Sequence, residues 1–201
     1  MSKHFDNAAA QWDQGDTRQN IAQCVFQTIV SRIALANTMN IMDFGAGTGL
    51  LSFKIAPMVH SVTGIDLSEK MLEQILAKNS DTLQVKVACQ NIISEPLDEE
   101  FHGIVSSMAM HHVEDTASLF KTLYSHLKRD GFVALADLEA EDGSFHTHGN
   151  EGVYHFGFEH DTLRDLMEKA GFVNVRFHHA YTVEKEAQSY PIFVVTANKN
   201  K

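Results

Sequence analysis

The sequence predicts an α/β fold: a doubly wound, seven-stranded, mostly parallel sheet with one antiparallel strand near the C-terminus. Three observations predict it. Short apolar runs of strand length alternate with stretches of helical period from about residue 20 to residue 138, and such alternation implies parallel strands with helices on both faces. A loop with glycine at every second position follows the first apolar run, where sheets of this kind place their ligands. The last two apolar runs are joined by a short linker, which suits an antiparallel pair.

The elements follow in order. Ile21, Val25, Ile29 and Ile33 recur at four-residue steps and predict a helix over Asn20–Ala36. Met39–Phe44 reads as the first strand. Leu50–Ala56 reads as a helix stopped near Pro57, because the residue before a proline is driven out of the helical region. Val59–Ile65 is the second strand, and Ser68 caps a helix carrying Met71, Leu72, Ile75 and Leu76. Val85–Ala88 and Phe101–Ser107 are the third and fourth strands. Asp115 or Thr116 opens a helix with Leu119, Phe120, Leu123, Tyr124 and Leu127, and Phe132–Leu138 is the fifth strand. Glu139–His160 is a long polar stretch with glycine, histidine and aromatic residues; loops of that length inside a domain are uncommon and usually functional. Asp161 caps a helix through Ala170, ended by Gly171. Val173–Val183 and Pro191–Ala197, linked by Glu184–Ser189, complete the sheet.

The 201 residues suit one domain over 1–201, with an N-terminal helical cap over about 1–36 and the His/aromatic insertion over about 139–160. The net charge of −10 weighs against nucleic acid as a partner. No apolar run approaches the ~20 residues of a membrane span, and Met1–Asp16 is too polar for a signal peptide, so the expected setting is cytoplasmic. Cys24 and Cys89 are expected to be buried free thiols, with one disulfide as the alternative. Twelve histidines are the one compositional oddity. The oligomeric state is left open.

The loop, Ile41–Leu50 or IMDFGAGTGL, places Asp43 just before Gly45, Gly47 and Gly49. Glycine lets backbone turn sharply and approach a ligand closely. A dinucleotide fingerprint is G-x-G-x-x-G, and here the third glycine comes one residue early. A carboxylate at the mouth of the loop repels a pyrophosphate and attracts a cation. A P-loop lacks its Gly-Lys-Ser/Thr ending. A plain tight turn is the remaining structural reading.

The acidic start, the G-x-G-x-G spacing and the second acid in TGIDLS resemble the class I S-adenosylmethionine-dependent methyltransferases, in particular the small-molecule enzymes of the ubiquinone/menaquinone-biosynthesis type, which have a Rossmann-like methyltransferase fold. The resemblance runs from roughly Ala9 to Ala197. It implies S-adenosyl-L-methionine as cofactor, a ligand with a sulfonium and an amine but no phosphate. It implies that Asp43 sits near the methionyl amine and that Gly45, Ala46, Gly47 and Thr48 form the loop beneath the ligand. Asp66 accepts both ribose hydroxyls, and Leu67 packs on the adenine. Asn91 stands where the family often has aspartate and accepts from the adenine amino group, while Ile92 offers its N–H. Ser107 and Met108 close the cofactor site after the fourth strand. His102 replaces a common aspartate, and LKRDGF keeps only Gly131 of the usual turn. AAAQWDQG resembles a segment that folds over the cofactor, with Trp12 either covering the site or anchoring the core. Asp66 as a mere helix cap and Asn91 as an ordinary turn residue remain open.

Methyl transfer is an in-line displacement at carbon, and the enzyme chiefly aligns the nucleophile and excludes water. His111 and His112, after the fourth strand, are the candidate catalytic residues, since histidine titrates near neutrality. In the insertion, His146 and His148 alternate along the chain, and His155 and Glu151 follow. Three readings stay open: an acceptor pocket walled with Phe145, Tyr154 and Phe156, a metal set completed by Glu151, or a solvated loop. The pocket reading is preferred and no metal is assigned. The expected partner is a small-molecule methyl acceptor. An Asn/Asp-Pro-Pro-Tyr-like turn, typical of amine-directed nucleic-acid enzymes, is replaced by Ser106-Ser107-Met108-Ala109. The alternatives are a nicotinamide-dependent oxidoreductase, or a non-catalytic metal- or ligand-binding module.

Overall fold

The computed structural model describes residues 2–146, 149–185 and 188–200. Its centre is a seven-stranded sheet, because the apolar runs are too short for buried helices and rich in β-branched residues. The strands are β1 (Asn40–Phe44), β2 (Ser61–Asp66), β3 (Lys86–Cys89), β4 (Phe101–Ser107), β5 (Leu127–Leu138), β6 (Phe172–Lys185) and β7 (Gln188–Lys199). Their order is β3-β2-β1-β4-β5-β7-β6. The first five pair in parallel, and β7 runs antiparallel to both β5 and β6. β7 is therefore the single reversed strand.

Helices α1 (Ser2–Ala8), α2 (Asp16–Arg32), α3 (Ser52–Ile55), α4 (Glu69–Lys78), α5 (Thr116–Ser125) and α6 (His160–Lys169) complete the chain. Strand residues alternate between two cores. Ile41, Val62, Val105 and Ala134 face α2, α3 and α4 through Val25, Ile29, Ile55 and Ile75. Met42, Ile65, Ile104 and Leu135 face α5 and α6 through Phe120, Leu123, Leu163 and Met167. Each fully buried side chain of this size contributes roughly 1.5–3 kcal/mol. Ser68 caps α4 by accepting from Met71 N at 3.2 Å, and Asp115 caps α5 by accepting from Ser118 N at 2.9 Å.

Several elements depart from expectation. α2 begins at Asp16 and ends at Arg32, one turn earlier than the apolar spacing suggests, because Gly15 in extended conformation breaks it from the preceding 3₁₀ segment Ala9–Gln14. Leu76 is exposed rather than core-facing. Leu127 starts β5 instead of ending α5, and β5 absorbs the LKRDGF turn as a bulge: Phe101 pairs with Leu127 but Gly103 with Phe132. Asp161 lies inside α6, whose N-cap is Glu159 with no side-chain cap. The cysteines are free, but Cys24 is half-buried and Cys89, at the end of edge strand β3, is exposed; neither is the buried thiol expected. No helix among the described residues is long and apolar enough to cross a membrane.

β1 and β4 are neighbours, with β2–β3 wound to one side and β5 to the other. Strand order reverses there, so the crevice at their carboxyl ends is the expected ligand site. Close packing of β4 on β5 depends on Gly103, where an added Cβ meets the Phe132 ring at 2.2 Å. Gly103→Ala is expected to destabilise the fold by about 1–3 kcal/mol through overpacking, read as a lower urea midpoint with an unchanged m-value.

Candidate functional site

The chain leaves β1 through Asp43 and enters the glycine loop. Gly45 has φ +67°, and an added Cβ meets Ala109 Cβ at 2.3 Å, so this glycine lets the loop pack on the turn after β4. Gly47 has φ +53°, and its missing Cβ faces only Trp12 Nε1, 4.0 Å away. The first glycine serves packing and the second leaves bare backbone towards open space. That space is a crevice of about 440 Å³, within the range of small-ligand sites. It is lined by Asp43, Gly45, Ala46, Gly47 and Thr48 after β1, by Asp66 and Leu67 after β2, by Asn91 and Ile92 after β3, and by Ser107 and Met108 after β4. The sequence reading placed all eleven together, and the structure brings all eleven to one cavity. Gln90, Ile93, Ala109 and Arg18 also line it, with no sequence signal of their own.

Its electrostatics are set by carboxylates. Asp43 is buried and accepts from Ser52 Oγ at 2.5 Å. Burial pushes its carboxyl up to about 7, the Ser52 bond opposes this, and the nearby Asp66 charge adds to it. Among the described residues Asp43 has no ion-pair partner. Asp66 accepts from Gly47 N at 2.8 Å and from Ser68 N at 2.9 Å. Its carboxyl is raised as well, chiefly by burial, which outweighs those two N–H donors; Asp6 adds repulsion. The helix cap itself is Ser68, not Asp66.

Leu67 is 49% exposed and Tyr154 also 49%, so two large apolar groups stand open at the crevice wall. Asn91 Oδ1 accepts from Ile93 N at 3.1 Å, which makes it a turn former as well as a crevice residue. Thr48 turns its hydroxyl away to Asp13. The N-terminal segment roofs the cavity: Phe5 packs edge-on against Trp12 at 5.7 Å and against His112 at 5.1 Å, and the Arg18 guanidinium lies 3.9 Å over the Trp12 ring. Tethers run from Asp6 to Ser68 at 2.6 Å and from Asp13 to Thr48 and Lys78. Trp12 thus covers the site and is half-buried.

The histidine pair follows on the 3₁₀ turn Met110–His112. His111 is buried, with Nδ1 2.7 Å from Asp137 Oδ1 and its own N–H donated to Oδ2 at 3.1 Å. Burial draws this imidazole's pKa down, but the Asp137 charge and hydrogen bond, with Glu141 beyond, outweigh it and leave it raised. His112 lines the crevice and holds Gly152 O through Nδ1 at 2.8 Å; burial, then the neighbouring His111, lowers it to about 4. His146 packs 5.2 Å from His111 and 6.0 Å from His112. Phe145 packs on Tyr190 behind it, and His155 bonds Val113 O at 2.9 Å, so neither reaches the crevice. Glu151 is an exposed turn residue apart from the histidine cluster, and His148 lies outside the described residues. Asp137 and Glu141 gave no signal in the sequence because their partners arrive from other elements. Two other histidines are structural: His102 accepts from Asn40 N at 2.9 Å, and His126 accepts from Leu97 N at 2.9 Å.

A seven-stranded sheet with β7 reversed, and a glycine loop between two strand-end carboxylates, is the architecture of the Rossmann-like methyltransferases. A family model described as a methyltransferase domain matches residues 18–176, and the chain belongs to that family. It is 32% identical over 153 residues to an uncharacterised methyltransferase of Schizosaccharomyces pombe, covering 68% of this chain and 54% of that one. It is 31% identical over 111 residues to a ubiquinone biosynthesis O-methyltransferase of Leptothrix cholodnii, covering 53% and 47%. The chain spans about half the length of the curated relatives it matches. In fold it is similar to the N-methyltransferase NodS of Bradyrhizobium japonicum, solved with S-adenosylhomocysteine: TM-score 0.76, 14% identity, covering 100% of this chain and 98% of that one.

Burying the Asp43 carboxylate is costly. Its carboxyl is raised above the unfolded value, so the folded state holds the proton more tightly. Stability is then highest below about pH 4, falls as pH rises towards about 7, and levels off above; the span is worth roughly 4 kcal/mol. Asp43→Asn is expected to raise the urea midpoint of the ligand-free protein at pH 8, with the gain gone near pH 4.

Proposed function

We propose that this chain transfers a methyl group from S-adenosylmethionine to a small-molecule acceptor by in-line displacement. The observation that carries the reading is a buried carboxylate, Asp43, that lines the crevice and has no ion-pair partner among the described residues, so a cationic ligand suits it. A methionyl ammonium beside a sulfonium supplies one, whereas a dinucleotide pyrophosphate is repelled. Family membership and a neighbour solved with S-adenosylhomocysteine support the same ligand.

In this reading Asp66 accepts the ribose hydroxyls, Leu67 and Ile92 sandwich the adenine, and Asn91 meets its amino edge. Gly45–Thr48 run beneath the ligand, with Ser107 and Met108 beside the methionyl chain. Trp12 and Phe5 keep water out. His112 and Tyr154 stand at the acceptor end, His111 is fixed behind by Asp137, and Phe145, His146 and His155 shape the wall of the insertion. His112, which lines the crevice, orients the acceptor's nucleophilic atom, and His111 is a positioning residue behind it, held by Asp137. The attacking lone pair approaches the methyl carbon opposite sulfur, at about 3–3.5 Å. The new bond to carbon forms as the C–S pair returns to sulfur, leaving a neutral thioether. The relatives named O-methyltransferases support an oxygen nucleophile. The acidic balance and the missing proline-rich turn speak against nucleic acid as acceptor. One domain over 1–201 with a roof and an insertion, in a reducing cytoplasm that keeps both thiols free, completes the reading.

Calorimetric titration tests it. S-adenosylmethionine and S-adenosylhomocysteine are expected to bind, and NAD not; the reverse overturns the reading. Asp66→Ala is expected to weaken donor binding about tenfold or more, since hydrogen bonds to a charged acceptor are worth ~1.5–3 kcal/mol. Because a bound cation draws the Asp43 proton off, donor binding near pH 6.5 is expected to release a proton, seen as a dependence of the binding heat on buffer ionisation enthalpy.

A further inference from the structure

We propose that His111, His112 and His146 bind a divalent transition-metal ion of the zinc class. One ligating nitrogen from each lies within 4.8 Å of the others. Tetrahedral ligation at about 2.0–2.1 Å needs nitrogens about 3.3 Å apart. Closure therefore takes small rotations of three rings and no movement of the sheet.

The surrounding bonds prepare the set. His111 Nδ1 is taken by Asp137 Oδ1 and His112 Nδ1 by Gly152 O, which directs both Nε2 lone pairs away from those partners. A carboxylate or carbonyl behind each ligating imidazole is the outer-shell pattern of metal-bound histidine. Asp137 is itself held by the N–H groups of His111 and Leu138, at 3.1 and 2.8 Å.

His146 arrives from the insertion, and the insertion is pinned at this spot. Tyr154 N and His155 N both donate to His111 O, at 3.0 and 3.2 Å. Three buried side-chain polar atoms among the described residues lack a hydrogen-bond partner, and two of them gather here: His146 Nδ1 and Glu141 Oε1. Buried polar groups are seldom left so. Glu141 holds a tight turn with its other oxygen, accepting from Gly143, Ser144 and Phe145 N–H at 2.8–3.0 Å, and acts electrostatically on both His111 and His146. Asp137 and Glu141 thus supply two negative charges around three neutral imidazoles, which balances a dication. An all-imidazole set suits zinc, cobalt or nickel over magnesium or calcium.

His112 alone of the three also lines the crevice, so an ion here borders the acceptor end. This part rests on the methyl-transfer reading. An acceptor hydroxyl on the ion gives its proton to solvent, its oxygen lone pair forms the C–O bond, and the C–S pair returns to sulfur. The acceptor class is then an alcohol, phenol or enol acidic enough for a metal to ionise at neutral pH.

The test uses the intact protein with Zn²⁺ and Co²⁺ as probes. Equilibrium dialysis is expected to show one tightly held Zn²⁺ per chain, and Co²⁺ to give the visible bands of a four- or five-coordinate nitrogen site. His146→Ala and His112→Gln are each expected to weaken binding at least tenfold, while His146→Ala keeps donor affinity within about twofold. Absence of a stoichiometric ion, six-coordinate cobalt bands only, or undiminished binding in both variants overturns the proposal. Should a variant unfold, the cobalt spectrum of the unaltered protein decides alone. Zinc uptake without donor binding defeats the methyl-transfer reading and leaves the metal site standing; donor binding without zinc does the opposite.

Discussion

The structure turns on one buried carboxylate that has no ion-pair partner among the described residues. Asp43, the last residue but one of β1, is buried in the sheet and held by the hydroxyl and the backbone of Ser52. Burial disfavours the charged form of such a carboxyl and raises its pKa towards neutrality, and here it is kept where strand order reverses. The glycine loop follows from it. Backbone must pass directly over that carboxylate without side chains, yet seat itself against Ala109, and Gly45 allows both. Asp66, one strand over, ties the loop from the other side through Gly47 N–H. The floor of the crevice is thus drawn between two acids.

Much of this was legible in residue order. Strand–helix alternation is a local signal, and β1 through β5 fall within a few residues of where apolar runs place them, β5 aside. The grouping of the eleven crevice-lining residues was equally legible, because they sit at or just past the ends of neighbouring strands and parallel strands align their ends. Two residues were misread. Leu127 has helical spacing to Leu123 but joins the sheet, since β4 offers Phe101 as a partner. Asp161 is a good capping residue one position too late. For Leu127 a tertiary contact outweighed a local preference.

The acceptor side was not legible, for a physical reason. His111 and His112 leave β4, Asp137 leaves β5, and Glu141 and His146 belong to a loop with no periodicity. Their convergence depends on hydrogen bonds between loop backbones, such as Tyr154 N to His111 O, which no side-chain pattern encodes. The alternating histidines of the insertion suggested partners near in sequence, Glu151 among them. The structure joins His146 instead to residues more than thirty positions away.

The roof has a consequence for access to the crevice. Trp12 and Phe5 line it, and the segment that carries them is tied down at Asp6 and Asp13. Contacts that hold it among the described residues include the serine–aspartate bond at Asp6, the Asp13 contacts to Thr48 and Lys78, and the edge-on packing of Phe5 on Trp12 and His112. The cover is therefore fastened to the loop after β1 through Thr48 and to the start of α4 through Ser68, so roof and floor form one hydrogen-bonded unit whose two sides must shift together.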